Sequence, residues 1–203
     1  MGGGADRLVQ ELRRTLSDER VLAAVHDVPR DVFVPEDLRA EAWDNIPLPI
    51  GCGQTISQPL IVARMCELLE LRGGERVLDV GTGSGYHAAL LGRLAAEVYS
   101  IERHAELSGR AARALAAAGA GNVTLAVGDG SQGLPEHAPY DAINVAAAAR
   151  RRIPPALIAQ LAPGGRIVVP VEEHGEQRLA LLREHGGELE VTRLDRVRFV
   201  PLR

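Results

Sequence analysis

Lysine is absent from the 203 residues, so all 23 basic side chains are arginine. That excludes a phosphate-binding loop of the G-x-x-x-x-G-K-[ST] kind, whose lysine reaches the terminal phosphates. Aromatic residues are scarce, at 3%, so Val, Leu, Ile and Ala must fill the core, and a hydrophobic share of 46% suffices for one. Two cysteines, Cys52 and Cys66, are too few for a disulfide scaffold or a zinc site and read as free thiols. No apolar run reaches the roughly 18 residues of a membrane span. The start, Met1-Gly-Gly-Gly-Ala-Asp, lacks the basic-then-apolar pattern of a secretion signal. These absences predict a soluble, cytoplasmic chain with no membrane partner. A net charge of −4 offers no basic field, so nucleic acid is not an expected partner. The six histidines are scattered, and no metal site is expected.

What is present is a regular alternation. Leu8, Val9, Leu12 and Leu16 give one helical stripe over 5–16, and Val21, Leu22 and Val25 another over 18–27, with Ser17 or Asp18 as its cap. Pro29, Pro35, Pro47 and Pro49 then punctuate a stretch that cannot be one long helix. A helix is expected from Pro59 through Leu71, ended by Gly73-Gly74. Beyond it, strands are predicted at 76–80, 97–102, 123–127, 140–145 and 165–171, and helices at 86–95, 105–118 and 155–161. Such alternation implies an α/β fold, a doubly wound, mostly parallel, Rossmann-like sheet with helices on both faces. The tail, 177–183 and 188–201, reads as two more strands. We expect residues 1–72 to form an N-terminal helical segment and loop, and 73–203 the α/β core, as one compact domain.

Ligands of such sheets bind beyond the carboxyl ends of the strands. The first end carries Asp79 and the turn Gly81-Thr-Gly83-Ser-Gly85, and the second, Val98-Tyr-Ser-Ile-Glu102, ends in an acid about 20 residues on. Glycines let backbone approach a ligand, and the carboxylate can accept ribose hydroxyls. A dinucleotide fingerprint would need glycine where Tyr86 stands, and a nucleophile elbow would need it where Thr82 stands. The spacing therefore points to a nucleoside-containing cofactor without a pyrophosphate, such as S-adenosyl-L-methionine, and resembles the first motif of class I methyltransferases. Asp129-Gly130 follows the third strand, either as a turn or as an acid reaching the adenine amino group. Leu48-Pro-Ile-Gly-Cys-Gly-Gln-Thr-Ile-Ser-Gln-Pro59 does not read as a regular element. It is either an ordered loop with Ser57 capping the next helix, or a lid with hydroxyls facing a substrate.

Several blocks together resemble the protein-L-isoaspartate O-methyltransferase family. They are Val28-Pro-Arg with Phe33-Val-Pro35, Leu48-Pro-Ile-Gly51 with Gly53-Gln-Thr-Ile-Ser-Gln-Pro59, Val77-Leu-Asp-Val-Gly-Thr-Gly-Ser-Gly-Tyr86, Val127-Gly-Asp-Gly130, Pro139-Tyr-Asp-Ala-Ile143, Gln160-Leu-Ala-Pro-Gly-Gly-Arg166 and Arg198-Phe-Val-Pro-Leu202. The resemblance implies Ser57 as the active-site residue and Gln54, Thr55, Ile56, Asp79, Gly81, Gly83, Gly85, Glu102, Arg103, Asp129 and Gly130 at the cofactor. It implies isoaspartyl proteins or peptides as substrates and S-adenosyl-L-homocysteine as the product; a monomer is favoured. A carboxylate is ionised at neutral pH and attacks a sulfonium methyl without a strong base or metal, so the enzyme's task is alignment. The departures, Cys52, the Ala149-Arg-Arg-Arg-Ile-Pro stretch with its one inserted residue, Glu172 and the early stop at Arg203, bear on substrate choice. Two other functions fit the same motifs. One is a relative that methylates a single aspartate of a biosynthetic peptide to form an aspartimide; the other is a non-catalytic nucleoside-binding module.

Overall fold

A computed structural model of the chain describes residues 3–202. Helices α1 (Gly3–Leu12) and α2 (Glu19–Asp27) bury the stripes that periodicity marks, among them Leu8, Leu12, Val21, Leu22 and Val25. Asp18 caps α2, its carboxylate accepting from the amides of Arg20 at 2.8 Å and Val21 at 3.3 Å. Such a cap is worth about 1 kcal/mol. Two 3-10 turns, Arg30–Phe33 and Glu36–Glu41, absorb the proline-punctuated stretch.

The segment from Leu48 to Pro59 corrects an expectation. It forms a small antiparallel hairpin, β1 (Leu48–Gly51) and β2 (Gln54–Ile56), in which Leu48 faces Ile56 and Pro49 faces Thr55. Gly51, Cys52 and Gly53 reverse the chain with positive φ angles of 88°, 51° and 67°. Pro49 is tolerated because a two-stranded ribbon has only edges. Helix α3 (Pro59–Leu68) then ends three residues earlier than predicted. Glu70, at φ 46°, takes the left-handed position that Gly73-Gly74 was expected to supply. Arg166 donates to the carbonyls of Leu69 and Glu70 there, which pairs groups that a helix end leaves open.

The sheet comprises β3 (Arg76–Val80), β4 (Glu97–Glu102), β5 (Val123–Val127), β6 (Tyr140–Val145), β7 (Ala149–Arg150), β8 (Leu161–Glu173), β9 (Glu176–His185) and β10 (Glu188–Arg196). Helices α4 (Tyr86–Leu94), α5 (Ala105–Ala117) and α6 (Pro155–Ile158) lie between its strands in sequence. The spatial order is β10-β9-β8-β6-β3-β4-β5, with β7 beside β8. The pairs from β8 to β5 are parallel, and β9 and β10 are antiparallel additions. Strand alternation divides the core between two faces. Val77 packs with α1 to α4 on one side, while Leu78 and Val80 pack with Leu157 of α6 on the other. Apolar residues of the first 72 positions share the former cluster with Val77 and Val98, so they are continuous with the core of the sheet. After β5 the chain returns to the far side of β3 as β6, which makes β3 and β6 the point where strand order reverses. A crevice opens there at the carboxyl ends of the strands. Among the described residues no helix is long and apolar enough to cross a membrane.

Candidate active site

The crevice is a cavity of about 390 Å³. The β1–β2 hairpin, the glycine turn, the tip of β4, Ala146 and Ala147 after β6, and Val200 to Leu202 line it. The three glycines of the turn do different things. Gly81 leaves β3 at φ 95°, a backbone state that excludes a side chain without strain, and its amide donates to the Ile101 carbonyl at 2.9 Å. The Gly83 amide donates to Glu102 Oε2 at 2.9 Å. Gly85 does not line the cavity. A Cβ there would stand 3.2 Å from Ala111 and 3.3 Å from Leu115, so its glycine serves the packing of α4 on α5.

Glu102 is the last residue of β4 and only 5% exposed. Oε2 takes the Gly83 amide and Oε1 the His104 amide at 3.0 Å. Each oxygen keeps a lone pair for a ligand hydroxyl, and the carboxylate is held in place before anything binds. Arg103 and His104 continue the same wall.

Ser57, half-buried, lines the same cavity beside Ile56, Thr55 and Gln54. It does not cap α3. Gln58 is the residue preceding that helix, and Ser57 Oγ has no hydrogen-bond partner among the described residues. Its carbonyl is held instead. Arg30, fully buried, donates to the carbonyls of Ser57 at 3.0 Å, Ala42 at 2.6 Å and Ile46 at 3.4 Å. The guanidinium lies 5.4 Å from the ring centre of Tyr86, a cation–π distance. Burial lowers the Arg30 pKa to about 10, so it remains a cation at neutral pH.

Besides Gly85, two more expected cofactor residues, both acids, lie outside the cavity wall. Asp79 is fully buried beneath it, accepting from Ser100 Oγ at 2.7 Å and Asn144 Nδ2 at 2.7 Å. Burial pushes its carboxyl pKa up, against those two bonds. Asp129 is exposed and accepts the Ser131 amide at 2.9 Å, and so caps the 3-10 turn Gly130–Gln132; the Ser131 hydroxyl and then its amide lower the Asp129 pKa. Gly130 does line the cavity. Sequence reasoning assigned no role to Arg30, Thr82, Ser84, His87 or His104. Arg30 stands within the Val28-Pro-Arg block, whose match to the family was its one visible signal. Among the described residues no three His, Cys, Asp or Glu side chains are grouped to hold a metal ion.

A mostly parallel sheet with a cavity at its order reversal, a glycine turn after the first strand and an acid at the tip of the second defines a class I methyltransferase. The model of the protein-L-isoaspartate(D-aspartate) O-methyltransferase family matches residues 4–203, and the chain belongs to that family. A protein-L-isoaspartate O-methyltransferase of Methanoculleus marisnigri is 53% identical over 189 residues, 93% of this chain and 86% of that one. Among solved structures, a protein-L-isoaspartate O-methyltransferase superposes with a TM-score of 0.87 at 28% identity, covering 97% of this chain; the chain spans 65% of that structure's length. A Plasmodium falciparum structure described as a putative protein-L-isoaspartate O-methyltransferase in complex with S-adenosyl-L-homocysteine gives a TM-score of 0.84 at 26% identity over 97% of both chains.

Proposed function

We propose that this chain carries out the family's reaction with Ser57 at the substrate carboxylate and Glu102 at the cofactor ribose. The reaction is methyl transfer from S-adenosyl-L-methionine to the side-chain carboxylate of L-isoaspartyl residues in proteins. The observation that carries the assignment is that Ser57 Oγ, unpartnered among the described residues, lines the same cavity as the pre-positioned Glu102 carboxylate. The cavity fits a nucleoside ligand, with an acceptor whose lone pairs are free, backbone rather than side chain along the Gly81–Gly83 stretch, and apolar walls at Val80 and Ile101.

The cofactor supplies an electrophilic methyl group on a sulfonium. The protein's own contributions are placement and exclusion of water. Arg30 fixes the Ser57 carbonyl and so the hairpin's last residue, Ser57 Oγ–H donates to one oxygen of the substrate carboxylate, and the other oxygen is left to attack. Glu102 orients the nucleoside end. Gln54, Thr55 and Ile56 close the cavity from the hairpin side. Asp79 acts from beneath, through other side chains, and Asp129 shapes the turn that presents Gly130. Methylation gives the carboxyl carbon a group that can leave: the following residue's backbone amide nitrogen attacks the ester carbonyl, methanol departs, and the succinimide so formed is hydrolysed by water, partly to normal aspartate.

The reading invokes no residue from a second copy, and takes the protein to act as a monomer on peptides in the cytoplasm, with Cys52 and Cys66 as free thiols. The test is methyl transfer from labelled cofactor to paired peptides that differ only in aspartate versus isoaspartate. Labelling of the isoaspartyl peptide alone is expected; equal labelling of both, or of neither, refutes the reading.

A further inference from the structure

The turn of the β1–β2 hairpin is gripped from outside the cavity by Arg110 of α5. Its Nη2 donates to the Ile50 carbonyl at 2.7 Å. The guanidinium lies close along the backbone there: a Cβ on Gly51 would stand 3.0 Å from Nη2 and 3.5 Å from Nη1, so glycine makes room for it. Arg110 Nε is shielded from solvent and unpartnered among the described residues, although the side chain as a whole is 39% exposed. A solvated surface arginine keeps its charged head in water; this one gives up hydration at Nε to reach a backbone carbonyl 60 residues away.

From Ile50 the contacts run inward. Its buried side chain reaches Gly83, with Cδ1 3.4 Å from where a Gly83 Cβ would stand. The Gly83 amide is the one that donates to Glu102 Oε2 at 2.9 Å. Beyond Gly51, Cys52 Sγ lies 3.9 Å from Glu106 Oε2, in the first turn of α5 and so one helical turn past the Glu102 tip of β4. The residues Cys52, Gly53 and Gln54 line the cavity and therefore cover its Glu102 end. Arg30 holds the other end of the hairpin, through the Ser57 carbonyl. A two-stranded ribbon is marginal by itself, and this one, whose ladder is three pairs long, is fixed at its two ends by two arginines.

We propose that Arg110 is a positioning residue for the cofactor: by pinning Ile50 it keeps the hairpin turn closed over the nucleoside end of the cavity, while Arg30 serves the reacting end at Ser57. The inference rests on the function proposed above for the identity of the ligand. It assigns the two ends of the hairpin to two different constants, cofactor retention to the Arg110 end and turnover to the Arg30 end.

Arg110→Met keeps the stem and deletes the donors. Arg113→Met removes the same charge from an exposed side chain of the same helix and is the control. Arg110→Met should weaken binding of S-adenosyl-L-homocysteine by about fivefold or more, mostly through faster dissociation, and Arg113→Met by less than about twofold. The loss should be the same for 5′-methylthioadenosine, which lacks the amino-acid end, because the turn covers the nucleoside. In turnover, KM for the cofactor should rise by a similar factor and kcat fall by much less. Hydrogen exchange gives a readout that a merely structural role would not move: in Arg110→Met the amides of 48–57 should exchange faster while those of the sheet keep wild-type rates. In the wild-type chain the same hairpin amides should slow on saturation with S-adenosyl-L-homocysteine. An Arg110→Met protein with affinity and dissociation rate within about twofold of wild type overturns the proposal. So does a loss matched by Arg113→Met, a loss absent for 5′-methylthioadenosine, exchange that rises equally across the sheet, or wild-type hairpin amides that the ligand leaves unchanged. Binding and exchange need no peptide, so wild-type protein that binds S-adenosyl-L-homocysteine but fails the isoaspartate assay refutes the substrate reading alone; wild-type protein that does not bind it overturns both.

Discussion

The buried His87 gives the protein an acid liability whose size can be worked out from the structure. In the unfolded chain its imidazole titrates near 6.5; folded, burial lowers that to about 3. Between these values the unfolded chain binds a proton that the native state refuses. Stability contributed by the neutral, buried ring is therefore complete above about pH 6.5 and is lost as pH falls toward about 3. The whole gap corresponds to roughly 5 kcal/mol, and the part expressed between about pH 7.5 and about pH 5 is roughly 2 kcal/mol. For a chain of this length that is a fall of about 4–8 °C in Tm. Asp79 works in the opposite sense. Its pKa is raised by the same burial, so the stability it lends is present at low pH and lost as pH rises through its folded value. The raw acid profile mixes the two groups, and the informative quantity is the difference between variants. In His87→Gln the Asp79 contribution cancels to first order, and the variant should gain roughly 2 kcal/mol on wild type when pH is lowered from about 7.5 to about 5. Thermal or urea melting of ligand-free protein at both pH values measures it. Parallel curves at the two pH values would show that His87 titrates alike in the native and unfolded chains, and the reasoning from its burial would fall.

Glu102→Ala should weaken S-adenosyl-L-homocysteine binding by about 1–3 kcal/mol, since ribose hydroxyls lose a charged partner already held by two amides; unchanged calorimetric affinity would remove Glu102 from the site. Ser57→Ala should lower single-turnover methylation while leaving cofactor affinity and Tm close to wild type, because Ser57 Oγ caps nothing; a variant that melts earlier but turns over normally would return Ser57 to structure. Arg30→Met should cost about 2–4 kcal/mol, as it leaves the buried carbonyls of Ala42 and Ser57 without donors. The surviving folded fraction should lose turnover more than cofactor affinity, and a loss of cofactor affinity alone would contradict the role given to Arg30 at the hairpin.

What the sequence discloses and what it conceals divides along the range of the interactions involved. The α/β alternation, the stripes of α1 and α2 and the Asp18 cap are local and were legible. So was Glu102, because β4 ends where its apolar run ends and the last residue of that run is the acid. The Leu48–Pro59 segment misled for a physical reason. Its proline and glycines do break regular structure, but three successive left-handed residues make a tight reversal out of the break, and β1 and β2 then need only each other. The acids at the three strand ends could not be ranked from spacing. Asp79 precedes the last residue of β3, so its side chain points into the face shared with α4, whereas Glu102 ends its strand and Asp129 comes two residues after its own. That difference of one or two positions decides whether a carboxylate lines the cavity, fixes a network or caps a turn. Least visible was the alignment of Asp79 with Asn144, 65 residues apart, through the parallel register of β3 and β6. Helical and strand periodicities carry no information on register between distant strands. Yet that register sets the Asn144 amide 2.7 Å from the Asp79 carboxylate and 3.2 Å from the His87 imidazole.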